Sequence, residues 1–219
     1  MRIERRFWLV VGIWILLLVG KGQEGFAREH DFAGWSTVKF THPVNERFQL
    51  IGMTGFRIRE SFRVADRIRL NVGGRYKLYP SLSVEGAYEV HYSHLGGGKW
   101  EFRHRYYAGF LVPVDIPDFR VTWRERFQQT FIAGDAETLL RSKLQFSYGR
   151  KRWRVSPFVG IEMFQPIGEE NFFTVAQMRY RPGVHCKLTS GCSLDLYYCR
   201  QHTDRRNRDI LGVELSINF

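Results

Sequence analysis

Residues 67–78 read Arg67-Ile68-Arg69-Leu70-Asn71-Val72-Gly73-Gly74-Arg75-Tyr76-Lys77-Leu78. Ile68, Leu70, Val72, Gly74, Tyr76 and Leu78 take one parity, and Arg67, Arg69, Asn71, Gly73, Arg75 and Lys77 the other. Successive side chains of a strand point to opposite faces, so this period of two predicts a strand with one apolar and one charged face. The same alternation continues outward in both directions. Leu82, Val84, Tyr88, Val90 and Tyr92 oppose Ser83, Glu85, Ala87, Glu89 and His91, and at the far end Leu211, Val213, Leu215, Ile217 and Phe219 oppose Gly212, Glu214, Ser216 and Asn218. No stretch beyond the first residues has a helical period.

About eleven such segments follow one another, the first two near 35–41 and 46–59. Short links (42–45, 79–81, 114–116, 149–151, 189–191) alternate with links read as longer or more polar (60–66, 94–98, 131–137, 165–170, 202–208). That is the pattern of an antiparallel up-and-down meander. Many segments are 11–14 residues long, and a tilted strand crosses the hydrocarbon of a bilayer in about 9–11. Aromatic residues sit near segment ends, among them Tyr79, Tyr92, Trp100, Trp123, Tyr148 and Trp153, as in the interfacial girdles of membrane barrels. Lipid cannot satisfy open sheet edges, so such a sheet must close. The expectation is an all-β, up-and-down antiparallel transmembrane β-barrel of 10–12 strands. Bacterial single-chain barrels have even strand number, which predicts that the count of eleven is off by one or that 35–41 lies outside the wall.

The chain has 219 residues, 44% hydrophobic, 16% aromatic and 25% charged, with three cysteines. These values exclude a disordered chain and a disulfide-dense miniprotein. A mean hydropathy of −0.31 excludes a polytopic helical membrane protein. Arg2, Arg5 and Arg6 precede an apolar run from Phe7 to Val19, and Gly25-Phe26-Ala27 offers small residues at a cleavage site. This predicts a Sec-type signal peptide over 1–27, with a cut after Gly22 as the alternative, and a barrel over 28–219. The mature chain keeps 29 basic and 20 acidic residues, a net +9. Secretion makes nucleic acid an unexpected partner for that charge and leaves outer-membrane lipid and small anions. It also opens two readings for Cys186 and Cys192, which flank Thr189-Ser190-Gly191: a disulfide across a hairpin, or two free thiols. No Cys/His spacing suggests a metal, and no cofactor motif is present.

The C-terminus resembles the signal read by the barrel-assembly machinery, with terminal Phe219 preceded at alternate positions by Ile217, Leu215 and Val213. The resemblance implies an outer-membrane destination in a Gram-negative bacterium. From about Trp35 to Phe219 the chain resembles an uncharacterised family of outer-membrane β-barrels known only as a domain of unknown function. The residues carrying this are Trp35, Arg47-Phe48, Phe56-Arg57-Ile58-Arg59, Gly74-Arg75-Tyr76, Phe102-Arg103-His104-Arg105 and Trp123-Arg124-Glu125-Arg126-Phe127. The resemblance implies a fold and no reaction.

The charged parity is dominated by arginine: Arg57, Arg59, Arg67, Arg69, Arg75, Arg103, Arg105, Arg120, Arg124, Arg126, Arg141, Arg154, Arg179 and Arg181. Glu85, Glu89, Glu101, Glu162, Asp195 and Glu214 share it. Turned inward, they form a polar lumen: either an anion-attracting passage or an ion-pair network that fills the barrel, the second being favoured for so small a cylinder. The role read from this is structural, or a narrow porin-like transport or binding function. Two alternatives stand beside it. One is a lipid-modifying hydrolase in the outer membrane. Here His104 has the lipid-facing parity, but the nearest serine of that parity, Ser142, is two strands away. The other is a soluble, lipocalin-like periplasmic carrier, which requires the apolar face inside.

Overall fold

The computed structural model describes residues 30–149, 153–168, 174–203 and 207–219. The expected signal peptide lies outside the described residues. Eleven strands follow in order: β1 (His30–Pro43), β2 (Phe48–Arg59), β3 (Val64–Tyr79), β4 (Leu82–Gly96), β5 (Lys99–Ile116), β6 (Phe119–Ile132), β7 (Asp135–Tyr148), β8 (Val155–Pro166), β9 (Gln177–Lys187), β10 (Cys192–Thr203) and β11 (Asn207–Asn218). Each pairs antiparallel with its sequence neighbours, and β1 pairs with β11 to close the barrel. The fold is an up-and-down transmembrane β-barrel.

Closure corrects one expectation. Eleven strands, within the expected 10–12, make the wall, and 35–41 belongs to it; it is the even number that does not hold. With an odd number the first and last strands run the same way, so β1 and β11 pair parallel, from His30↔Asn207 to Thr41↔Asn218. A parallel ladder still satisfies the backbone groups of both strands, which is all that lipid demands.

The connections correct a second. Links 97–98 and 133–134 are two-residue hairpins, with positive φ at Gly97 (58°), Gly98 (76°), Ala133 (49°) and Gly134 (103°). Both fit the twist of the flanking strands. The polar residues read as loops therefore continue the ladder, and link length does not alternate between the two ends. Of the ten links, 167–176 is the longest.

The apolar parity faces out. Along β3, Ile68, Leu70 and Val72 are exposed, Val72 at 61%, while Asn71 between them is 1% exposed. Phe40, Phe56, Tyr88, Phe102, Phe127, Val159, Leu211 and Val213 are likewise exposed. A water-soluble carrier has the opposite arrangement, so the lipocalin-like alternative falls. Within the barrel a small apolar cluster of Ala33, Phe158, Tyr197, Cys199 and Ile210, with Trp35 against it, fills one side.

Candidate functional site: the lumen

The inward parity of the strands brings arginines and carboxylates together in three groups. Glu162 on β8 is the first hub: Arg141 Nε donates to it at 2.9 Å, Arg124 Nη2 at 3.2 Å and Arg179 Nη1 at 3.5 Å. These arginines come from β7, β6 and β9, so one carboxylate ties four strands.

Glu85 on β4 is the second. It accepts from Arg75 at 2.9 Å and from Arg126 at 2.7 Å. Arg126 lies on β6 and reaches Glu85 over β5, where Gly109 occupies the inward position between them. A Cβ at Gly109 would collide with the backbone of Glu125 and Arg126.

Glu89 is the third, with Arg105 at 3.2 Å, Arg69 at 3.8 Å and His91 at 3.6 Å. Arg69 also donates to Thr37 Oγ1 at 3.0 Å on β1. It does so across Gly55 on β2, where a Cβ would stand 2.6 Å from Arg69 Nε. At Gly55 the missing side chain lets the arginine cross the strand, and at Gly109 it lets the backbones of β5 and β6 approach closely.

A ladder of cations and rings crosses the lumen beside these hubs. The Arg57 and Arg179 guanidinium carbons lie 4.1 and 4.9 Å from the Trp35 ring. Arg179 also lies 4.6 Å from Phe164, and Arg141 lies 4.9 Å from the same ring. Arg57, Trp35, Arg179, Phe164 and Arg141 thus form a continuous contact from β2 to β7. Planar guanidinium groups stack on aromatic faces, which suits arginine and not lysine to these positions.

On the Phe219 side of the ladder lies a cavity of about 290 Å³. Lys39, Arg75, Leu111, Gln145 and Asp195 on its wall each stand three to five residues from the strand terminus at that end. Nine basic residues line it against four acidic ones, Glu85, Glu89, Asp195 and Glu214.

The remaining charged positions divide between lumen and rim. Arg181 lies 3.6 Å from Glu214 and 3.6 Å from the Tyr197 ring, Arg103 pairs with Glu101 at 2.5 Å, and Asp195 stands 2.6 Å from His185. Arg67 lies on the inward parity of β3 among these groups, opposite Ser93. Arg59 is near Glu60 and Asp66 at the rim away from Phe219. Arg120 is at the other rim, exposed and paired with Asp115 at 2.6 Å. Arg154 corrects the reading that put it with the lumen: it is exposed in the bend before β8, because the strand begins only at Val155.

Val213, Leu215 and Ile217 are on the outward parity of β11. Phe219 donates its N–H to Thr41 O at 3.1 Å and its ring stacks on Phe40. Cys186 and Cys192 are free thiols in the structure. The register sets Leu194, not Cys192, opposite Cys186, and Cys192 O accepts from the N–H groups of Leu188 and Thr189 in the turn. Among the described residues no group of three or more His, Cys, Asp or Glu is placed to hold a metal ion.

Sequence reasoning missed a polar track on the outer face. Glu125 interrupts the apolar parity of β6 and accepts from Ser142 Oγ at 2.7 Å and Trp123 Nε1 at 3.3 Å, and the Tyr106 hydroxyl donates to Gln129. The Trp-Arg-Glu-Arg-Phe motif held the signal, since Glu125 there has the parity of Trp123 and Phe127. His104 is stacked 4.7 Å from Phe131. Phe131 is opposite His104, and Glu125 is opposite Ser142. Six residues of β6 separate the two, roughly 20 Å at strand rise, so His104 and Ser142 form no dyad.

A family model described as a protein of unknown function (DUF2490) matches residues 32–211. The chain belongs to this family. No curated protein matches the sequence. Among solved structures, a NanC porin in a rhombohedral crystal form superposes with a TM-score of 0.51 at 12% identity, over 81% of this chain and 90% of that one. The likeness to that porin is one of fold. It gives this DUF2490 chain a porin-like barrel fold.

Proposed function

We propose that this DUF2490 protein is an outer-membrane barrel of a Gram-negative bacterium whose arginine-rich lumen draws in small anions. The signal peptide over 1–27 directs export and is removed. The barrel-assembly machinery reads Val213, Leu215, Ile217 and Phe219, and the apolar belt takes its place among lipid. The supporting observation is the cavity with nine basic and four acidic residues on its wall. Like charges in a low-dielectric cylinder focus the potential on the axis, so anions concentrate and cations are excluded. The cation–ring ladder anchored on Glu162 narrows the path, which makes passage small and selective.

Planar-bilayer recording of the purified folded protein tests this. Under a potassium chloride gradient the reversal potential is expected to shift towards the chloride equilibrium potential, through small unitary currents. Replacing Arg124 and Arg181 with glutamine is expected to reduce that shift. A current selective for potassium overturns the proposal.

A further inference from the structure

We infer that the cavity on the Phe219 side of the ladder is a binding site for a small oxyanion, with Lys39 and Lys143 as the groups that hold it. This deepens the anion-lumen reading and rests on it. The four carboxylates bordering the cavity are already engaged: Glu85 by Arg75 and Arg126, Glu89 by Arg69 and Arg105, Glu214 by Arg181, and Asp195 by His185. Lys39 and Lys143 line the same cavity, and among the described residues neither makes an ion pair.

Their surroundings explain why. The cross-strand neighbours of Lys39 are Met53 on β2 and Ser216 on β11, which carry no charge. Lys143 does stand opposite Glu162 in the ladder of β7 and β8. That carboxylate, however, turns to Arg124, Arg141 and Arg179. Two half-buried ammonium groups from β1 and β7 therefore face one polar space, and the acidic side chain diagonal to Lys39 across the seam, Glu214, is already paired with Arg181. A charge in such a place stays only if something pairs with it. An ammonium is a compact point charge with three donors, suited to a phosphate or carboxylate oxygen arriving from any direction. Arg75, Arg124 and Arg181 border the same space and add to its field. The cavity volume limits the ligand to a small solute, and the ladder narrows the path beyond it.

The experiment is isothermal titration of the detergent-folded full barrel with inorganic phosphate and, separately, succinate, for the wild type and for Lys39→Met with Lys143→Met. Saturable binding of at least one probe by the wild type is expected. The double variant is expected to bind about tenfold more weakly or worse, since both charge-assisted hydrogen bonds to the oxyanion are lost. The two arms read which oxyanion is preferred. Removing two unpaired cations relieves repulsion, so the variant is expected to fold, as read by heat-modifiable gel migration; each single variant tests the same claim with a smaller loss. No saturable binding by the wild type, or binding that ignores both lysines, overturns the site. An anion-selective current together with lysine-independent binding removes this site alone, whereas a cation-selective current removes the lumen reading beneath it.

Discussion

Glu162 and Arg120 show how far the surroundings decide what an ion pair is worth. Glu162 is held by three arginines whose side chains are largely out of water. Removing its carboxylate leaves three positive charges facing one another without compensation. Glu162→Ala is expected to lower the stability of the folded barrel by about 3–5 kcal/mol, read by urea unfolding in detergent or lipid. The Arg120–Asp115 pair is as short, yet its side chains are 60% and 67% exposed. Arg120→Gln is expected to cost about 0–1 kcal/mol in the same assay. Equal losses at the two positions would show that the lumen is as wet as the rim. The identity of Glu162 as an inward residue was legible from parity, but its role as a hub was not. Parity describes one strand, and the three arginines reach it from others. The inward glycines were hidden for the same reason: one strand alone gives Gly109 and Gly55 no role, and only the register sets them between an arginine and its partner.

Among the elements, β1 is the one whose place the sequence left undecided. Its own pattern gave a strand with Trp35 at the start, and solvation required the sheet to close. Neither argument states which way the closing pair runs. Direction follows from the count of strands, and the count depended on whether 35–41 was wall or lumen. Trp35 turned inward against Arg57 and Arg179, a placement that the sequence reading of β1 did not specify. The parallel seam places Ser36 opposite Val213, both on the outward parity, with Leu211 two residues away, opposite Gly34. In a background where Cys186, Cys192 and Cys199 are replaced, Ser36→Cys with Val213→Cys is expected to form an intramolecular disulfide on mild oxidation. Ser36→Cys with Leu211→Cys is expected to form it far less readily, since the Cα atoms of a disulfide must lie within about 7 Å. Mobility on non-reducing gels of the unfolded protein reads both. Crosslinking of the second pair in preference to the first would mean a shifted register or another closure.

The orientation of the whole barrel rests on one physical statement: apolar side chains meet lipid while the guanidinium groups are gathered round the axis. The alternation carried this arrangement as one of two options, because a period of two is the same for a carrier and for a spanning barrel. Length of the strands and the crowding of arginine on one parity separated the options. The three tryptophans Trp35, Trp100 and Trp123 offer a direct test. Trp100 and Trp123 are exposed on the outer wall, and Trp35 packs inside against the apolar cluster. Single-tryptophan variants of residues 28–219, which lack Trp8 and Trp14 and in which Trp153 and two of these three are replaced by phenylalanine, would be folded into bilayers containing lipids brominated along the acyl chain. Bromine quenches indole fluorescence only near contact, so Trp123 is expected to lose most of its intensity as bromolipid replaces ordinary lipid. Trp35 is expected to keep nearly all of its own. Trp100 lies second in β5, next to the 97–98 hairpin, and is expected to respond best when bromine sits near the headgroup, as a ring at the interface does. A Trp35 signal quenched by acyl-chain bromine, with Trp123 unaffected, would reverse the two faces of the wall and with them the charged lumen.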